Sequence, residues 1–194
     1  MKFQFFGAPI QLRMVYALIA SLLWWAAVGI VGLPSRYTGG HSGLVTGAVY
    51  SALVLLPYLP NLEGAHKLRA LALLFCGVLS YWSSITLFVW LGNFGFPGVP
   101  TSMPGTVILM GLAGVNGALV IGIGTRLLVP LVLRRAGWLM LMAAGLVGGM
   151  ILGISFLASI GLAGAIDYRY WLPGHVTWQL LVCLALYYGS ERSA

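Results

Sequence analysis

The chain has 194 residues, of which 60% are hydrophobic and only 7% charged. Soluble domains are nearer a quarter charged, so this composition excludes an ordinary water-soluble globular fold. The formal net charge of +7 does not indicate nucleic acid, because the ten Lys and Arg are scattered through apolar text instead of clustering on one soluble face.

Crossing a bilayer takes about 20 apolar residues per helix, and six such stretches follow one another. The expected fold is an all-α, polytopic transmembrane helix bundle, a single integral membrane domain over residues 1–194. The first span, 14–33, follows an aromatic leader containing Phe3, Phe5 and Phe6. It is too long for the apolar core of a signal peptide, and no small-residue cleavage site follows it. Spans two and three occupy 42–60 and 70–92. The next connection, 93–104, is uncharged and rich in proline and glycine, which suits a stiff outer turn or a shallow re-entrant loop.

Span four covers 105–125. The apolar stretch 127–133 after it contains Pro130 and lies between Arg126 and the pair Arg134 and Arg135, so it is expected to lie along the interface. Span five, 137–166, has 30 residues and must tilt or protrude, and span six covers 171–189. Basic residues fix the direction. Lys2, Arg13, Lys67, Arg69, Arg126, Arg134, Arg135 and Arg192 fall on one side, against Arg36 and Arg169 on the other. Eight against two places both termini in the cytoplasm of a bacterial-type inner membrane.

Lipid gives helices no hydrophobic reason to associate, so small residues must let backbones approach. Gly39, Gly43, Gly47 and Ser51 form one four-residue stripe, Gly114, Ala118 and Gly122 a second, and Gly145, Gly149 and Gly153 a third. Such stripes join helices within the bundle, or join it to a second copy or a second membrane subunit. Cys76 and Cys183 lie inside apolar runs and form neither a disulfide framework nor a CxxC pair.

Polar side chains at bilayer depth are costly, so their positions carry information. His175, Gln179, Cys183 and Tyr187 recur every fourth residue on span six, and Cys76, Ser80, Ser83 and Ser84 share a side of span three beside Tyr81. Thr46 and Tyr50 on span two and Asn116 on span four complete the set. Gln179, Asn116, Ser80, Ser84 and Tyr50 fall near mid-depth, where they either line a polar path for a small solute or ion, or hydrogen-bond between helices.

The outer pole gathers Arg36, Tyr37 and His41 with Asp167, Tyr168, Arg169, Tyr170, Trp171 and His175. An ion pair of Asp167 within an aromatic belt is one reading. Another is a pocket in which Arg36 and Arg169, with Tyr37 and Asp167, receive an anionic headgroup or solute. A third has His41 and His175 facing each other as ligands to a haem or a metal ion. No HExxH, GxSxG or P-loop motif occurs, which leaves an enzyme activity without support in the sequence. The leading expectation is solute or ion transport, or solute binding from the outer face. The alternatives are a haem- or metal-binding redox subunit and a structural subunit of a larger membrane complex.

Overall fold

A computed structural model describes residues 65–95, 103–128, 133–163 and 168–191, together with Ile19 and Leu23, both helical and exposed. Apart from those two positions, the expected spans 14–33 and 42–60 lie outside the described residues, and so do Arg36, Tyr37, His41, Tyr50 and Asp167.

The described chain is all-helical. Helices α1 (Ala65–Trp90), α2 (Met103–Leu128), α3 (Arg135–Ala163) and α4 (Tyr168–Glu191) occupy the places expected of spans three to six. A π-helical turn, Leu91–Gly95, prolongs α1. Helix ends run past the apolar text into polar residues, with Lys67 and Arg69 in the first turns of α1 and Arg126 in the last turn of α2. Continuing the helix satisfies backbone groups until water can take over. Residues 129–132 lie outside the described residues, so the interfacial segment expected at 127–133 is seen only at its ends. Leu127 is exposed and Leu133 is buried.

Two prolines sit inside helical text. Pro104 is the second residue of α2, where its missing N–H would have had no helical acceptor. Pro173 lies one turn into α4, and the Thr177 hydroxyl donates back to its carbonyl at 2.7 Å. Helix α3 opens with the Trp138 amide donating to the Arg134 carbonyl at 3.0 Å.

Among the described residues, three helical stretches are long and apolar enough to cross a membrane: Leu71–Phe94, Met103–Leu127 and Arg135–Gly161. At 29 residues α3 is about 43 Å long, more than the ~30 Å hydrocarbon core, so it tilts or protrudes in any bilayer. The distribution of side-chain size fits the same environment. Leu71, Phe75, Leu79, Trp82, Ile85 and Val89 of α1 point outward, while glycines fill the helix contacts. A water-soluble protein buries its large apolar groups, whereas a bilayer protein can turn them to lipid and keep small residues between helices.

Consecutive helices are antiparallel, and the glycine contacts give their register. A Cβ at Gly124 would lie 2.7 Å from Cys76 Sγ, and one at Gly117 would lie 3.0 Å from Ser80 Oγ, so α2 descends along α1. Between α2 and α3, a Cβ added at Gly122 would meet Leu141, one at Gly114 the Gly145 carbonyl, and one at Gly153 would lie 3.0 Å from the Val107 Cα. Between α3 and α4, a Cβ added at Gly137 would lie 3.0 Å from the Gly189 Cα, one at Gly148 2.7 Å from the Trp178 Cα, and one at Gly174 2.6 Å from the Leu152 Cα. The stripes expected on spans four and five therefore pack against each other within the chain. The Gly39, Gly43 and Gly47 stripe lies outside the described residues.

Candidate functional site

Two polar groupings occupy the middle of the bundle. The first joins α1 to α2. Ser80 is buried, and its Oγ donates to the Gly117 carbonyl at 2.8 Å. Asn116 Nδ2 donates to Ser83 Oγ at 2.9 Å. Ser84 Oγ and Ser83 Oγ both donate to the Ser80 carbonyl, at 2.7 and 3.2 Å. Gly117 makes this possible, because a Cβ there would sit 2.7 Å from Ser84 Oγ. Three hydroxyls and one amide are thus turned on each other and on backbone. For Ser80 and Asn116 the geometry is that of interhelical hydrogen bonding, whereas Ser84 bonds back along its own helix.

These bonds are individually modest. Side-chain hydrogen bonds between membrane helices average ~0.6 kcal/mol and reach about 1.7, because the separated helices also find partners. A double-mutant cycle of Asn116→Ala with Ser83→Ala, read by unfolding in detergent, is expected to show a coupling in that range. A coupling of zero would mean that the 2.9 Å contact does not form.

The second grouping belongs to α4. Trp178 stands where three helices meet. Its Nε1 donates to the Gly114 carbonyl of α2 at 3.3 Å, and its Cζ2 would lie 3.1 Å from a Cβ at Gly117. On its other side, a Cβ at Gly148 of α3 would lie 2.9 Å from its Cδ1. The sequence reading missed this residue. The available signal was its depth: tryptophans gather at membrane interfaces, and one in mid-span needs a partner for its N–H.

His175, buried to 3% exposure, faces α1. Its Nε2 is 3.4 Å from the Tyr81 hydroxyl, long for a hydrogen bond, and the two rings stack with centroids 5.8 Å apart and planes inclined by 18°. Both residues have further interactions beyond this pair. The His41 expected to face His175 lies outside the described residues. Among the described residues, no group of three or more His, Cys, Asp or Glu is placed to hold a metal ion.

One turn further along α4, on the same face as His175, stands Gln179 at 2% exposure. Its Oε1 is buried and, among the described residues, has no hydrogen-bond partner. It therefore does not join the Ser80, Ser84 and Asn116 grouping that its depth had suggested. Val182 and Leu186 continue the same face and are buried in the apolar cluster that includes Ala118, Ile121 and Leu141. Among the described residues the one acid is Glu191, at the end of α4. Of the outer-pole residues, Arg169 falls in the first turn of α4. No family model, curated protein or solved structure matches this chain.

Proposed function

We propose that this protein is a polytopic inner-membrane bundle of six spans, with both termini cytoplasmic, that binds or passes a small solute. The observation that carries this reading is the buried Gln179 Oε1. A buried acceptor without a donor is costly, and native structures rarely retain one unless a ligand, water or ion completes it. Buried His175, one turn away on the same face, and the half-buried Tyr81 that it stacks on are polar without being acidic. An environment of this kind favours an uncharged hydrogen-bond donor over a metal ion or an organic cation.

Access from the outer face rests on sequence. Arg36, Tyr37, Asp167 and Arg169 would stand at the mouth of a path whose inner landmark is Gln179. The test is flux in proteoliposomes containing the full chain, followed by stopped-flow light scattering with water, glycerol and urea as probes. The wild type is expected to exceed empty liposomes for at least one of the three, and Gln179→Leu to abolish that excess. Equal flux in wild-type and empty vesicles for all three probes counts against the reading. The haem reading receives no comparable support, since the one described histidine of the pair is stacked on Tyr81.

A further inference from the structure

The described helices collect basic residues at one end. Lys67 and Arg69 stand in the first turns of α1, Arg126 in the last turn of α2, Arg134 just before α3, and Arg135 as its first residue. The antiparallel register brings these ends together. Gly124 abuts Cys76 and Leu73 near the start of α1, and Gly122 abuts Trp138 near the start of α3. The far end of the same four helices carries a single basic residue, Arg169.

Three of the five basic side chains can be followed, and all three, Arg126, Arg134 and Arg135, are exposed. Among the described residues none of them is ion-paired. Glu191, closing α4, is the acid that shares this end through the contact of Gly189 with Gly137, and it leaves the cluster strongly positive. The level of the arginines matters as much as their charge. The apolar stretch of α2 ends at Leu127 and that of α3 begins at Arg135, so in a bilayer these guanidinium groups would stand near the rim of the hydrocarbon layer. Leu127, beside Arg126, is 72% exposed and offers an apolar surface where acyl chains would begin.

A guanidinium presents paired N–H donors that match phosphate oxygens, and it holds its charge at any physiological pH. Basic residues clustered where helices leave the bilayer on the cytoplasmic side are suited to anionic headgroups. We propose that Arg126, Arg134 and Arg135, at the end of α2 and the start of α3, bind the phosphate of an anionic phospholipid from the surrounding bilayer. A lipid is favoured over a free anion because charge and exposed apolar surface adjoin at one level, and a soluble phosphate would use only the charge. This inference is independent of any role of Gln179.

The test uses the full chain in nanodiscs with equal phosphatidylglycerol and phosphatidylcholine, with the lipids retained on release measured by native mass spectrometry. The wild type is expected to retain phosphatidylglycerol preferentially. At roughly a factor of five per arginine near an anionic surface, the triple variant R126Q/R134Q/R135Q is expected to lose preference on the order of a hundredfold. If the triple variant is poorly folded, the single variants Arg134→Gln and Arg135→Gln should each lose about fivefold. Unchanged retention in the triple or single variants overturns the proposal. Displacement of the bound lipid by soluble glycerol phosphate also overturns it, in favour of a free-anion site.

Discussion

Gly114→Ala and Gly145→Ala are each expected to destabilise the bundle by about 1–3 kcal/mol, although each adds a single carbon. The reason is what the added carbon would meet. At Gly114 it would run into the Gly145 carbonyl oxygen, with the Gly149 Cα at 2.9 Å behind it. At Gly145 it would lie 2.7 Å from the Gly114 carbonyl oxygen and 2.8 Å from Ala118 Cβ. These are backbone atoms or groups fixed to backbone, so relief requires moving α2 away from α3. Such a shift would also pull the Gly114 carbonyl from Trp178 Nε1. At Gly122 the crowding atoms are the ends of the Leu141 and Trp138 side chains, which can rotate, so Gly122→Ala should cost less. At Gly161 nothing lies within 4 Å, and Gly161→Ala should leave stability unchanged or slightly raised. Thermal unfolding in mild detergent ranks the four variants. The double variant should be less than additive, because one helix shift relieves both clashes. A Gly114→Ala protein that unfolds with the wild type would show that the two backbones do not approach this closely.

Helices α1, α2 and α3 were legible because they are written in one variable, apolar length, and only their ends differ from the expected spans. Span three was expected at 70–92, yet α1 begins at Ala65, since Lys67 and Arg69 remain helical at the interface. The small-residue stripes were legible for a similar reason. Four-residue spacing puts Gly114, Ala118 and Gly122 on one face whatever the neighbour is, and the fold supplies the neighbour as Gly145 and Gly149.

Pairing is what the sequence could not convey. His175 reads equally well as a partner for His41, for a metal or for an aromatic ring, and only the placement of α4 against α1 brings it onto Tyr81. The same holds for the mid-depth polar residues. Ser80, Ser84, Asn116 and Gln179 look alike in sequence, because a polar face has the same pattern whether it meets a donor or an empty place. The fold separates them: Ser80, Ser84 and Asn116 find partners across or along α1 and α2, and Gln179 Oε1 does not.

That separation gives Gln179→Leu an effect opposite in sign to the other polar substitutions. Removing the Ser80 hydroxyl deletes a bond to the Gly117 carbonyl, so Ser80→Ala should lower stability by ~0.6 kcal/mol. Removing the Gln179 amide deletes no bond from Oε1 and relieves a buried unpaired acceptor, a penalty of about 1–3 kcal/mol. Leucine is close to glutamine in length, and Val182 and Leu186 on the same face already pack in an apolar cluster. Gln179→Leu is therefore expected to unfold at a higher temperature than the wild type. In the proposed role it should at the same time lose the solute flux that exceeds empty liposomes. Gain of stability with loss of flux is the signature of a group kept for its ligand at the expense of the fold. A variant that is less stable than the wild type would mean that the amide makes a structural bond. A variant that is more stable and still passes solute would place the path elsewhere in the bundle. Gln179→Glu probes the same site through charge: a carboxylate is far costlier to bury at bilayer depth than an amide, so this variant should be the least stable of the three.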